Sequence, residues 1–143
     1  MYCRKLVPLL FFLIFALLFS STSLAVQDDG DSINASSLIS NTSASAVAKG
    51  SGQVKFQFTV YGRTTLDMIG ALQIRVYKSD GTPVATYSYL SYPNLMNYNT
   101  DYHGSSVTYS GVSGQSYYAK VSVYVRSGSN SDNRTIYSNT VTA

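Results

Sequence analysis

The sequence predicts an all-β protein, a seven-stranded antiparallel β-sandwich preceded by an N-terminal signal helix. Apolar and polar residues alternate with a period of two along several segments of the second half of the chain, which is typical of half-buried strands. Turn signals such as Asp80-Gly81 separate these segments at short intervals. The chain has 13 tyrosines and no glutamate, a composition that favours strands over helices. A small Greek-key barrel is the alternative architecture.

Residues 1–25 have the three-part layout of a secretory signal peptide. The basic pair Arg4-Lys5 precedes the apolar run Leu6–Phe19, and a polar stretch then ends in small residues at Ser23 and Ala25. The run has 14 residues, fewer than the roughly 20 that cross a bilayer core. We expect cleavage after Ala25, secretion to the extracellular medium and no stable membrane insertion afterwards. The alternatives are an uncleaved anchor and a buried core helix.

Cleavage at this site would change the chemistry of the chain. It removes Cys3, the only cysteine, so the mature protein would have neither a thiol nor a disulfide. Residues 26–43 form a polar spacer that we expect to be disordered. Residues 44–143 form the predicted sandwich domain, with eight basic and four acidic residues. Because the basic residues do not form blocks, we predict no nucleic-acid partner.

Seven segments carry strand signals. The clearest is Gln53–Tyr61, in which every second residue is apolar. Ala71–Lys78 repeats this pattern, and we expect its residue Leu72 to face inward together with Ile74 and Val76. The other predicted strands are Ala44–Lys49, Pro83–Leu90, Ser105–Ser110, Ser116–Arg126 and Arg134–Thr142, with loops at Tyr92–His103 and Gly128–Asn133.

Few residue types that support catalysis or bind a metal remain after cleavage. Asp101-Tyr102-His103 brings an acid and an imidazole together, and serines follow at 105 and 106. These types match a Ser–His–Asp triad, but no nucleophile-elbow motif accompanies them, so a polar loop tip is the favoured interpretation. One histidine excludes a standard zinc cluster, and Asp28–Asp31 lacks the spacing and the glutamate of a calcium-binding hand loop. We predict no enzymatic activity, no metal and no cofactor.

The segment Val112–Val123 resembles the entry to the sixth strand of fibronectin-type-III and immunoglobulin-like domains. These families carry a tyrosine corner there, in which a tyrosine hydroxyl bonds back to the preceding loop. Tyr118 has the corresponding spacing from Val112. The layout of signal, polar spacer and one tyrosine-rich sandwich is also similar to small secreted bacterial proteins of unknown function. The resemblance covers residues 44–143 as an architecture and implies an extracellular setting without a defined activity.

One predicted surface has the chemistry of a binding site. In the sandwich order, strands 71–78 and 116–126 are neighbours, and their outward residues combine tyrosine rings with cationic donors. That mixture suits a glycan or protein ligand, so we expect a non-enzymatic extracellular binding or adhesion module. The structural alternative is that the cross-strand pairs merely stabilise the sheet. The candidate binding residues are Arg75, Tyr77, Tyr118, Lys120, Tyr124 and Arg126. A second candidate is the loop with Tyr92, Tyr98, Tyr102 and His103.

Self-association is the alternative function. An edge strand such as Pro83–Leu90 could pair with another copy, which would make the protein a structural or self-assembly component of the cell surface or extracellular matrix. The N-glycosylation pattern occurs at Asn34, Asn41 and Asn133, and its use depends on the source of the protein.

Overall fold

The computed structural model describes residues 38–143. The predicted signal peptide, its cleavage site at Ala25 and the predicted spacer as far as residue 37 lie outside the described residues. Residues 38–143 contain nine β-strands, one 3-10 helix and no α-helix. The strands are β1 (Ile39–Gly50), β2 (Gln53–Leu66), β3 (Met68–Lys78), β4 (Pro83–Ser88), β5 (Met96–Asn97), β6 (Thr100–Ser110), β7 (Ser116–Ser127), β8 (Asn130–Tyr137) and β9 (Val141–Thr142), and the 3-10 helix is Pro93–Leu95.

The strands form two antiparallel sheets. The three-stranded sheet has the order β1-β2-β6. The six-stranded sheet has the order β4-β3-β7-β8, with β5 paired to β3 and β9 paired to β7. Strands β2 and β6 pack across β7 and β3, so each sheet has an inner face towards a shared core and an outer face towards solvent. The predicted all-β class and the antiparallel pairing are confirmed.

Strict alternation along the longest strands explains the core. In β2, Val54, Phe56, Phe58 and Val60 are at most 2% exposed, whereas the residues between them are half-buried or exposed. Strand β7 repeats this arrangement from Tyr117 onward. Each such apolar side chain contributes about 1.5–3 kcal/mol when fully buried. Because residues 38–143 contain no cysteine, burial rather than a disulfide holds the two sheets together.

The expectation that Leu72 faces inward is wrong. The pairing of β3 with β7 shifts between Ala71 and Gln73, where a β-bulge inserts one extra residue. The bulge moves the alternation by one position, so Ala71 is buried before it and Ile74 after it. Leu72 is left half-buried at the bulge and outside the core cluster.

The first strand is longer than predicted. It begins at Ile39 rather than at Ala44, so the last residues of the predicted spacer are part of the sheet. Ile39 is 1% exposed, and the Ser40 hydroxyl donates a hydrogen bond to the carbonyl of Tyr61 at 3.0 Å. Burial of one side chain and a bond to β2 therefore outweigh the polar composition of the segment.

The predicted loops are also more structured than expected. The segment Tyr92–His103 contains the 3-10 helix, β5 and the start of β6, because Leu95 and Met96 are buried. The predicted last strand, Arg134–Thr142, is divided into β8 and β9, and β8 already begins inside the predicted loop Gly128–Asn133.

A tyrosine hydroxyl ties the start of β7 to the preceding loop, but the residue is Tyr117 and not Tyr118. Tyr117 is 1% exposed, and its hydroxyl oxygen accepts a hydrogen bond from the Val112 amide at 2.9 Å. The ring lies against Gly111, where an added Cβ would come within 2.7 Å of ring carbons. Tyr118 instead takes the next position along β7 and faces outward.

Side chains cover part of each edge of the three-stranded sheet. On β1, the Asn139 side chain bonds Ala46 as a neighbouring strand would: Oδ1 accepts from the Ala46 amide at 2.8 Å, and Nδ2 donates to the Ala46 carbonyl at 3.1 Å. On β6, the Tyr87 hydroxyl from the opposite sheet donates to the carbonyl of Thr108 at 3.2 Å. Such cover hinders pairing with another chain.

The edges of the six-stranded sheet carry other protections. Strand β4 has only six residues and begins at Pro83, which has no amide hydrogen to offer a neighbour. On β8, Asp132 and Arg134 lie opposite Val125 and Val123, at register positions of the inner face. Short edges and inward charges both discourage edge-to-edge association.

Replacing Asn139 by alanine is expected to lower the free energy of unfolding by about 1–3 kcal/mol, because the part-buried polar groups of Ala46 lose both side-chain partners. The neighbouring substitution Thr140→Ala, at an exposed residue, serves as the control and is expected to change that free energy by less than about 0.5 kcal/mol. Urea denaturation of the two variants provides the comparison. Equal stability of the two variants would contradict the assigned role of Asn139.

Candidate functional site

The predicted binding surface lies on the outer face of the six-stranded sheet, where β3 and β7 pair directly. The register places Tyr77 opposite Tyr118 and Arg75 opposite Lys120. The rings of Tyr77 and Tyr118 are stacked, with centroids 5.3 Å apart and planes 14° from parallel. The neighbouring strands that the sequence predicted are therefore present, and the first four candidate residues form two adjacent cross-strand pairs.

The remaining two candidates extend the same face along β7. Tyr124 and Arg126 follow Lys120 at two-residue spacing with Ser122 between them, so all share the side of the strand opposite the core. Tyr124 lies opposite Gly70, which has no side chain, and Arg126 lies opposite Met68. We call the set of all six residues the cationic tyrosine face: Arg75, Tyr77, Tyr118, Lys120, Tyr124 and Arg126.

All the charged side chains of the cationic tyrosine face are positive. Arg75 and Lys120 are directly opposite each other, and like charges in that position destabilise a sheet. The guanidinium of Arg75 donates to the Gln73 amide oxygen over 3.5 Å, at the weak limit of a hydrogen bond.

None of the carboxylates of residues 38–143 occupies a register position of the cationic tyrosine face. Asp67 precedes β3 and accepts a hydrogen bond from the Gly128 amide at 2.6 Å. Asp80 lies in the turn after β3, where bonds to Thr82 lower the pKa of its carboxyl. Asp101 lies in β6 of the other sheet, and Asp132 lies opposite the inward Val125. The face therefore offers positive charge to an incoming ligand.

Sequence reasoning missed one member of this surface. Tyr137 on β8 lies opposite Lys120, is 58% exposed, and has its ring centroid 5.9 Å from the Lys120 ammonium nitrogen. A cation at this distance over a ring makes a cation–π contact worth about 0.5–1 kcal/mol at an exposed site. Alternation along Arg134–Tyr137 could have indicated its outward direction, but its contact with Lys120 depends on the pairing of β7 with β8.

The structure does not bring the four residues of the second candidate together. Tyr92 contacts Tyr87, with centroids 5.1 Å apart. Tyr102 instead contacts Tyr61 on the outer face of the three-stranded sheet, 4.8 Å between centroids. Tyr98 is 55% exposed, and His103 is half-buried beneath the 3-10 helix.

Asn94 forms hydrogen bonds with both His103 and Ser105, the two side chains that would have to bond each other in a serine–histidine pair. The Nε2 atom of His103 is 2.9 Å from the Asn94 carbonyl, and the Asn94 side-chain amide donates to the Ser105 hydroxyl at 3.0 Å. Both contacts tie β6 to the 3-10 helix. The lack of enzymatic activity stays a prediction.

The surroundings of His103 favour the neutral form of its imidazole. Its ring packs edge-on against Phe58, with centroids 5.8 Å apart. Burial lowers the pKa of His103 below its ordinary 6.5, and the hydrogen bond with the Asn94 carbonyl partly opposes this shift.

This lowered pKa predicts a pH-dependent stability. Below about pH 6.5 the unfolded chain binds a proton at His103 more readily than the native protein, so the free energy of unfolding falls as the pH falls towards the native pKa. Above pH 6.5 this contribution is complete and constant. Urea denaturation at about pH 7.5 and about pH 5.5 measures the decrease. His103→Gln, which does not titrate, is expected to show a smaller decrease than the native protein; an equal decrease would contradict this assignment.

Among residues 38–143, no group of three metal-ligating side chains lies close enough together to hold an ion. Within the same range, no helix has the length and apolar character needed to cross a membrane.

The comparisons with known proteins add no family to this description. No family model matches the chain, and no curated protein or solved structure matches it.

Proposed function

We propose that the protein is a secreted, non-enzymatic extracellular binding or adhesion module whose cationic tyrosine face binds an acidic glycan. The observation that carries the proposal is the pairing of Arg75 with Lys120 directly beside the Tyr77–Tyr118 stack. Secretion is proposed from the signal-peptide layout of residues 1–25.

The energetics of the face favour an anionic ligand. Two cations placed opposite each other cost free energy in the empty sheet, and a carboxylate between them would remove that cost. Arg75 provides planar donors that suit a carboxylate, and Lys120 adds a second positive charge. The Tyr137 ring and the Gln73 amide oxygen each stabilise one of the two cations, and a carboxylate ligand would add a counter-charge for both.

The tyrosine stack supplies the second element of recognition. Stacking fixes the two rings as an apolar ridge that ends in polar hydroxyl groups. A sugar ring has one apolar side and several hydroxyls, so it can pack on the ridge while its carboxylate reaches Arg75 and Lys120. Tyr124 and Arg126 repeat the combination further along β7, about 20 Å from Tyr118 by strand geometry. That repetition suits an extended chain of acidic sugar units.

We also propose the finer fold assignment, an immunoglobulin or fibronectin-III-like sandwich. The order β4-β3-β7-β8 corresponds to a C′-C-F-G sheet, and β1-β2-β6 corresponds to A-B-E. The bond from the Val112 amide to the Tyr117 hydroxyl at the start of β7 supports the same assignment, because such domains carry a tyrosine corner on strand F. Domains of this architecture commonly serve as extracellular binding modules, which agrees with the proposed role.

Self-assembly through an edge strand receives less support. The predicted edge, β4, is short and begins with proline, and the Asn139 side chain occupies part of the β1 edge. These features favour binding of a partner through the outer face of a sheet over pairing through an edge strand.

The proposal is tested by titrating the purified full-length chain with tetragalacturonate in a calorimeter. Arg75→Gln is expected to weaken binding about tenfold, and Tyr77→Ser and Tyr124→Ser are expected to weaken it as well. Arg63→Gln removes the same charge from an exposed residue of β2 and is the matched control. It is expected to leave the affinity nearly unchanged.

Either of two results with the variants would overturn the proposal. The first is unchanged affinity in the Arg75 and tyrosine variants. The second is an equal loss in the Arg63 control, which would mean that net charge alone attracts the polymer. If this face binds a protein and does not bind tetragalacturonate, the proposed glycan ligand would have to be replaced by a protein partner.

A further inference from the structure

The outer face of the three-stranded sheet has a different chemistry from the cationic tyrosine face. Its central rows present hydroxyl and amide side chains from three adjacent strands. The Ser43 and Thr59 hydroxyls are 2.7 Å apart, and the Gln57 side-chain amide donates to the Ser45 hydroxyl at 3.0 Å. The result is a flat, uncharged array of donors and acceptors.

A pair of exposed rings borders this array. Tyr61 and Tyr102 lie opposite each other on β2 and β6, with centroids 4.8 Å apart and planes tilted by 45°. They are 43% and 44% exposed, respectively. Two exposed aromatic rings held together at one end of a polar face form an apolar platform.

Gly104 allows Tyr102 to lie along the sheet. An added Cβ at Gly104 would be 2.6 Å from the Tyr102 hydroxyl oxygen and 3.3 Å from the ring carbon that bears it. The phenol end of the ring therefore covers the glycine backbone instead of standing away from the sheet. A ring in this orientation presents a broad side to solvent, as stacking against a ligand requires.

The array and the Tyr102 ring border an open groove of about 340 Å³, which lies in the range of small-ligand sites. A second hollow, lined by Ser40, Asn41 and Asp101, lies on the other side of the Tyr61–Tyr102 pair. The groove is lined by Tyr102, Thr59, Gln57, Ser45, Ser106 and Lys55, among others.

We propose that this groove binds a neutral saccharide, with a sugar ring stacked on Tyr102 and its hydroxyls bonded to the Thr59, Gln57 and Ser106 side chains. Hydroxyl and amide groups both donate and accept, as sugar hydroxyls do. The single charged side chain among the lining residues is Lys55, so uncharged hydroxyl and amide groups make up most of the polar lining of the groove. The site goes beyond the proposed function, because it lies on the opposite sheet and selects a different ligand class.

The test uses the purified full-length chain and three neutral tetrasaccharides, cellotetraose, maltotetraose and tetra-N-acetylchitotetraose, each titrated to millimolar concentration. Binding is followed by amide chemical shifts. At least one tetrasaccharide is expected to shift the amides of Thr59, Tyr102 and Gly104. Tyr102→Ala is expected to weaken that binding about tenfold. Tyr98→Ala, a second exposed tyrosine, is the control and is expected to retain binding.

The Gly104→Ala variant keeps the Tyr102 ring but changes its orientation, so it tests whether that orientation is needed for binding. The new methyl group would displace the end of an exposed, movable side chain, so we expect native stability and weakened saccharide binding. No binding of any tetrasaccharide, or full affinity in Tyr102→Ala, would overturn the proposal. Binding of a serine- and threonine-rich peptide in place of all three saccharides would also overturn it. Because tetragalacturonate and the Arg75 variant test the other sheet, either proposal can fail while the other stands.

Discussion

Replacing Gly70 by alanine is expected to lower the free energy of unfolding by about 3 kcal/mol or more, or to prevent folding altogether. An added Cβ would meet the carbonyl oxygen of Leu95 and would lie 2.8 Å from the Cα atom of Met96. Both contacts are with backbone atoms, which cannot rotate away as a side chain can. Leu95 is fully buried and Met96 is 5% exposed, so relief would require moving residues that are part of the packed interior.

Gly81→Ala provides the comparison for this prediction. Gly81 lies in the turn between β3 and β4 with a φ of 88°, and an added Cβ there would have no atom within 4 Å. Its replacement is therefore expected to cost about 1 kcal/mol through backbone strain alone. Urea denaturation of both variants gives the two free energies. A Gly70 variant as stable as the Gly81 variant would contradict the close approach of β5 to β3.

Substitutions at Tyr117 are expected to have the second large effect. Tyr117→Ala should cost about 3–5 kcal/mol, as expected for a fully buried aromatic side chain next to the core valines. Tyr117→Phe keeps the ring but leaves the Val112 amide without its partner, and should cost about 1–3 kcal/mol. The difference between the two variants separates ring packing from the hydroxyl bond.

Tyr118→Phe is the matched control, because it removes a hydroxyl from the adjacent residue on the outer face. We expect a change of less than about 0.5 kcal/mol in the free energy of unfolding. Thermal or urea denaturation of the three variants distinguishes the two positions. A loss at Tyr118→Phe as large as that at Tyr117→Phe would contradict the assignment of the corner to Tyr117.

Most of the correct predictions came from the alternation of apolar and polar residues along single strands. It correctly indicated that Tyr77 and Tyr118 face outward, because burial of one side of each strand fixes the direction of the other. The prediction that their strands are neighbours came from the expected sandwich order and is also confirmed. Alternation failed at Leu72, because a bulge inserts a residue without any preceding signal in the composition. The residue that forms the tyrosine corner was also predicted wrongly. Its spacing from Val112 favoured Tyr118, whereas burial with the valines selects Tyr117.

The groove on the outer face of the three-stranded sheet could not be predicted from the sequence. Tyr61 and Tyr102 are 41 residues apart in the chain, and only the register of β2 with β6 brings their rings together. Gly104 carries no polar or aromatic signal of its own, although it allows Tyr102 to lie along the sheet. Such sites depend on long-range pairing, which periodicity within one strand does not determine.

The most direct test of the proposed function is to map tetragalacturonate on the protein by amide chemical shifts. The cationic tyrosine face predicts that perturbations concentrate at Arg75, Tyr77, Tyr118, Lys120 and Tyr124, and that they decrease as salt screens the ligand charge. Perturbations confined to the three-stranded sheet, or none at millimolar ligand, would contradict the proposed function.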